Sequence, residues 1–348
     1  GNANAFINVE SGNYGLSRIS AATNIDLKDN LTFRGTIFST QRDGYVSDIF
    51  LGDDLYNDRD RQGIRLQLAL NDRSDDFNAR LIVDYSELNE TCCAAISRID
   101  GIYSQASIPL APALVVGSDA ALLSLGGTIA ASNAYPAALL APFGPAAANV
   151  RNIPFEDFRI SQNFLPHSSN NDSGISLEIN SAIGELTFSS ITGYRSFDTD
   201  DDIDADFTNV DVLRRTNSAQ QSSLSQEFRL SGDIGDKGSF FQAGLYFFQQ
   251  DLNSLTNTLG GTQMQDYVLA LQPDLVDLIN GTAALVAGLP AGTLPALADP
   301  FPSGFFVTED MQQKHNSWAI FGQTDIVLSE MATLILGARY TDERKSIL

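Results

Sequence analysis

Six aspartates crowd into nine residues: Asp198, Asp200, Asp201, Asp202, Asp204 and Asp206. Carboxylate oxygens at that density suit a hard cation such as Ca²⁺, with Asp200, Asp202 and Asp204 as candidate ligands. The run lacks the glycine and the terminal glutamate of an EF-hand loop. An extended chain would also spread its carboxylates along a strand edge. A solvated acidic loop is therefore preferred, no resident metal is expected, and Asp53 to Asp60 reads the same way. The cations Arg65, Arg80, Arg195, Arg229 and Arg339 could attract an anionic ligand or form charge ladders with Asp84, Glu178 and Glu227. The ladder is preferred, and Arg65, Arg80, Asp84, Arg195, Glu227, Arg229 and Arg339 make up the candidate set for ligand contact or for an interior-facing wall. The two histidines, His167 and His315, stand far apart and in neither an HExxH nor a CxxCH spacing. Zinc, haem and a Ser-His-Asp arrangement all lack support, so neither an enzyme nor a cofactor is expected. Cys92 and Cys93 are the only cysteines. Being neighbours, they exclude a long-range disulfide within the chain and leave a vicinal bridge, free thiols or thiols paired outside the chain.

These residues need elements to hold them, and the clearest is Ser222 to Asp251. In its first arm Leu224, Phe228 and Leu230 share a face with Gln226, while Ser223, Ser225, Glu227 and Arg229 share the other. That is the period-two pattern of a strand. A turn from Gly232 to Gly238 leads to a second arm with Phe241, Ala243, Leu245 and Phe247 opposite Gln242, Gly244, Tyr246, Phe248 and Gln250. Ordinary strands have about five or six residues, whereas a tilted strand crossing a bilayer needs about nine to eleven. The same alternation predicts strands over Ala5–Glu10, Leu16–Leu27, Leu31–Arg42, Gly63–Leu70 and Phe77–Ser86. Further strands are predicted over Gly174–Ala182, Leu186–Thr199, Asn316–Leu328 and Thr333–Arg344. Acidic loops are expected over Asp43–Asp60 and Asp200–Ser218. Long excursions follow Leu88 and Asp251, the first expected to be partly helical.

Composition narrows the class. The chain has 21 Lys+Arg against 43 Asp+Glu, a formal net charge of -22 over 348 residues. Phosphate binding needs clustered cations, so nucleic acid is not an expected partner. The most apolar stretches, Ile108–Val150 and Tyr267–Leu297, are interrupted by prolines and aspartates and offer no helical span of about 20 apolar residues. From the third strand onward, connections alternate long and short. Outer-membrane barrels do this, with long extracellular loops and short periplasmic turns. Charges on the polar faces then line a hydrated lumen, and outer-membrane lipid and lipopolysaccharide become the expected surroundings. Tyr14, Tyr45, Tyr56, Phe197 and Phe207 fall in or near the upper loops, where they could contact a ligand or belong to an aromatic girdle. Eleven strands is an odd count, and a sheet with two open edges leaves backbone groups unsatisfied in lipid. The chain therefore reads as a fragment, with further strands expected elsewhere.

Five stretches in order carry a family resemblance: residues 11–48; DRQGIRLQLAL with DFNARLIVDYSE; TFSSITGYRSFDTDDDIDAD (187–206); SLSQEFRLSG with AGLYFFQQD; and residues 316–345, which include the GxRYTxExK-like run Gly337 to Lys345. In combination they resemble the barrel domain of TonB-dependent outer-membrane receptors. The resemblance covers most of the chain outside the two Ala/Leu-rich insertions. It implies an all-β, transmembrane antiparallel β-barrel in which residues 1–348 supply about 11 of 22 strands, the N-terminal half of the barrel. It also implies a plug, a TonB box and C-terminal strands outside these residues. Active uptake of a scarce solute across the Gram-negative outer membrane is the implied function. A ferric siderophore is the leading substrate class, and the TonB–ExbB–ExbD complex is the partner reached through the plug. A passive porin-like or adhesive barrel is the alternative.

Overall fold

The computed structural model describes residues 4–49, 51–71, 76–94, 158–160, 162–207, 210–235, 238–265, 304 and 306–348. Eleven antiparallel strands lie side by side in one sheet, adjacent in chain order. They are β1 Asn4–Gly12, β2 Leu16–Lys28, β3 Leu31–Arg42, β6 Arg59–Asn71, β7 Phe77–Glu90, β9 His167–Ile183, β10 Leu186–Asp204, β11 Leu213–Ile234, β12 Ser239–Gly260, β13 Phe306–Ser329 and β14 Ala332–Ile347. Each strand pairs with its neighbours in that order, as expected of an up-and-down wall. Short turns close one end, such as Gly184–Glu185 between β9 and β10, where Gly184 has φ +64°, a conformation open to glycine. The strand ends that lead into the long connections all lie at the other end.

Three short strands build a second layer at that end. β4 Val46–Asp48 pairs with β5 Gly52–Tyr56 and, in parallel, with β8 Arg159–Ile160. The buried side chains of Val46, Tyr56 and Ile160 form a small core there, with Tyr45, Leu55 and Ala94 packed against it. Apolar side chains of the main sheet stay exposed on one face: Ile175, Leu224, Phe247 and Ile320 are 46–52% accessible. A continuous apolar face of this kind must meet lipid or another apolar surface. No described helix is long and apolar enough to cross a membrane.

The sheet is the expected all-β barrel wall, and its arms are longer than alternation alone indicated. β11 and β12 have 22 residues each and β13 has 24. The acidic loop expected over Asp200–Ser218 is corrected: β10 continues to Asp204 and β11 begins at Leu213. Register with β9 and β11 holds Asp198 to Asp204 extended, because the paired backbone is satisfied whatever the side chains. The acidic segment Asp43–Asp60 likewise contains β4, β5 and the start of β6. The expected helical part of the first long excursion lies outside the described residues.

Candidate functional site

Registers sort the side chains onto two chemically distinct faces. One face carries Arg65, Arg80, Asp84, Arg195, Glu227, Arg229 and Arg339, since Arg65 pairs with Asp84, Asp84 with Gly174, Gly174 with Arg195, Glu227 with Tyr246, and Phe321 with Arg339. Three of the arginines are engaged by carboxylates. Arg195 Nη2 lies 2.8 Å from Asp84 Oδ2, and its other terminal nitrogen meets Asp172. Arg80 lies 2.7 Å from Glu178, and Arg229 bonds Glu227. Gly174 makes room for the first group: a Cβ there would meet Arg195 Nη2 at 2.7 Å. Higher up, Arg59 and Arg61 converge on Glu90, with Arg61 Nη2 donating to Oε2 at 3.0 Å. Arg65 and Arg339 differ. Neither has a carboxylate partner among the described residues, and the Arg339 guanidinium sits 5.6 Å from the ring centres of both Tyr246 and Phe321. Phe248 stacks with Tyr246 and packs edge-on against His315, whose Nε2 is 3.1 Å from Glu343 Oε1.

The opposite face changes character with height. On β7 it reads Phe77, Ala79, Leu81, Val83 and Tyr85, then Glu87. Phe77 to Tyr85 is eight residue steps, about 26 Å along the strand, the scale of the lipid-facing band of an outer-membrane barrel. β10 turns from Phe188 and Tyr194 to Asp198, β12 from Leu245 and Phe247 to Gln249 and Asp251, and β13 from Ile320 and Trp318 to Asn316 and Lys314. Aromatics mark the upper border. Trp318 and Tyr340 pack with ring centres 5.7 Å apart. The Tyr85 hydroxyl lies 2.6 Å from Glu87 Oε2 and 3.1 Å from Asn171 Oδ1, an apolar ring with a wet tip.

Above both faces, polar bonds knit the rim. Asp48, 3% exposed, accepts from the Tyr56 hydroxyl at 3.1 Å, from the Gln162 amide at 2.7 Å and from the Leu51 amide at 3.1 Å. Burial, and then the charge and hydrogen bond of Asp48, hold the Tyr56 phenol far above its usual range. Gln162 Nε2 donates to the Cys93 carbonyl at 3.3 Å, and Cys93 forms a vicinal disulfide with Cys92. Asp204 is fully buried and accepts from the amides of Asn163, Asp206 and Phe207 at 3.0–3.3 Å. Burial, with the neighbouring charge of Asp206, pushes its carboxyl up to about 8. Asp200, Asp202 and Asp204 do not converge on one point. Asp202 is bound by Arg214, Asp204 caps the turn after β10, and Asp200 stands exposed. Among the described residues no group of three or more acidic, histidine or cysteine side chains could hold a metal ion.

The predicted aromatics scatter. Tyr14 and Tyr45 pack together at 5.7 Å, Tyr56 is buried beneath the rim, Phe197 lies on the charged face and Phe207 in the turn after β10. Asp172 and Glu90 escaped sequence reasoning. Extending the period of β9 and β7 by a few residues would have placed both on the charged face.

No protein-family model and no curated protein matches this chain. Solved structures do. The ferric yersiniabactin uptake receptor FyuA from Yersinia pestis superposes over 99% of the chain with a TM-score of 0.51 at 9% identity. The siderophore receptor PiuA from Acinetobacter baumannii covers 98% with a TM-score of 0.55 at 12% identity. FpvA of P. aeruginosa, solved with a heterologous pyoverdine and iron, covers 99% with a TM-score of 0.57 at 8% identity. The sheet has the fold of a stretch of barrel wall in these proteins. As such it spans 43%, 45% and 37% of the length of these three receptors. In this fold the apolar band faces lipid and the ion-paired face lines the lumen.

Proposed function

We propose that this wall belongs to a TonB-dependent receptor that takes up a scarce solute, a ferric siderophore foremost, across the Gram-negative outer membrane. The observation that carries the reading is the superposition of 98–99% of the chain on three siderophore receptors. Two features of the wall support it. Carboxylates occupy Arg80, Arg195 and Arg229, so these cations are already neutralised by the wall itself and do not compete for a plug or a solute. Arg65 and Arg339 are left to meet an anion or a plug carboxylate. Arg339, stacked on two rings, is preorganised to do so at little cost in side-chain freedom.

In this reading the residues do no chemistry on the solute. They confine it, and energy reaches the plug through the TonB–ExbB–ExbD complex. Uptake of a radiolabelled ferric siderophore by cells carrying or lacking the gene tests this directly, with and without TonB. Uptake that depends on the gene and on TonB is the expected result. Gene-dependent uptake that persists without TonB would assign a passive barrel instead.

A further inference from the structure

We infer that a pocket on the lipid side of the wall, just above the apolar band, receives an uncharged or amine-bearing sugar of an outer-leaflet glycolipid. This rests on the outer-membrane reading above, not on the transported solute. The cavity has a volume of about 390 Å³ and spans β9 to β13. That is within the roughly 300–1,000 Å³ of small-molecule sites. Its principal side chains are Asp198, Asp200, Gln220, Asn253, Leu255 and Asp310. Unbroken registers put all six on the face that carries Tyr194, Leu224, Phe247 and Trp318 lower down. Asp198 lies four residues beyond Tyr194, about 13 Å along the strand. The pocket therefore stands at headgroup level on the side a lumenal solute does not touch.

Its chemistry selects among headgroups. Among the described residues, no hydrogen bond or ion pair engages the side chains of Asp198, Asp200, Gln220, Asn253 or Asp310. Carboxylates and amides can accept from adjacent sugar hydroxyls, the amides can also donate, and the exposed Leu255 side chain offers an apolar surface to the C–H face of a ring. No lysine or arginine lines the cavity, while three carboxylates do. Phosphorylated sugars are repelled, and neutral or amine-bearing ones are admitted.

The test uses the complete protein in lauryldimethylamine oxide, a detergent without a sugar head, with EDTA present. The probe is core oligosaccharide released from outer-membrane glycolipid and stripped of phosphate, and binding is read by saturation-transfer NMR and calorimetry. Binding by the native protein, weakened at least tenfold in Asp200→Ala/Asn253→Ala, is the expected result. In vesicles, glycolipid should raise the melting temperature of the native protein above that in plain phosphatidylethanolamine, and this rise should vanish in the double variant. Equal binding by both proteins, or binding only to the phosphorylated oligosaccharide with Mg²⁺, overturns the proposal. Ferric siderophore uptake is followed in the same cells. Intact uptake without sugar binding sinks the pocket alone, and sugar binding without any uptake sinks the transport reading alone.

Discussion

Arginine placed along the lipid side of β12 should cost stability according to height. On this strand Phe241, Ala243, Leu245 and Phe247 face the band, and Gln249, Asp251 and Asn253 follow above it. Leu245 is near the centre, and Asn253 is eight residues higher, about 26 Å along the strand. A cation at the bilayer midplane of a barrel costs about 2–4 kcal/mol and about 0–1 kcal/mol near the interface. Leu245→Arg should therefore shift the folded-to-unfolded ratio by roughly 30- to 700-fold, at about tenfold per 1.4 kcal/mol. Asn253→Arg should leave it within roughly fivefold. Gln242→Arg, on the lumen face, is the control and should behave like Asn253→Arg. The assay is guanidinium unfolding of the complete protein in phospholipid vesicles, followed by tryptophan fluorescence. A Leu245→Arg cost no larger than that of Asn253→Arg would refute the sidedness, as would an equal cost at Gln242.

Other perturbations test the wall and the rim. A double-mutant cycle between Arg195→Met and Asp84→Asn should give a coupling of about 0.2–1 kcal/mol, because both partners are partly solvated; a coupling above about 3 kcal/mol would mean the pair is shielded from water. Asp204 has a folded-state carboxyl raised to about 8 against roughly 3.9 in an unfolded chain, so the native state holds its proton. Its stabilising contribution is complete below about pH 4 and lost as pH rises through 8. Amide exchange at Asp206 and Phe207, corrected for intrinsic rates, should quicken from pH 5 to pH 9, and Asp204→Asn should flatten that response; identical protection at both pH values would contradict the assignment. Iodoacetamide should label neither Cys92 nor Cys93 in the denatured protein before reduction and both afterwards, as read by mass spectrometry.

The transmembrane portion of each arm was legible because lipid on one side and water on the other impose alternation. Leu224, Phe228 and Leu230 against Ser223, Ser225, Glu227 and Arg229 encode strand, face and approximate height at once. Above the band that contrast disappears, since both faces are wet. His167 to Ser173 and Asp198 to Asp204 are rich in residues with low strand preference, and only their registers keep them extended. The rim was illegible for a different reason. Ser47 and Asp48 pair with Arg159 and Ile160, and Gln162 reaches Asp48 across 114 positions, so no local pattern records the contact. For the candidate residues, sequence identified the charges, but the choice of partner depended on register across several strands: Asp84 stands in one row with both Arg65 and Arg195 and binds Arg195 past Gly174.

The direction of the two border strands constrains what can complete the wall. β1 and β14 both rise from the short-turn end toward the long connections, as the first and last members of an odd up-and-down series must. An antiparallel neighbour at either border has to descend. A second copy rotated about an axis along the strands would set a rising strand against a rising one, giving the slanted ladder of a parallel pair. Self-closure by rotation is thus incompatible with a continuous antiparallel barrel. In a barrel antiparallel throughout, a wall with two rising borders is complemented by an odd set of strands that begins and ends descending, and the full circle is then even.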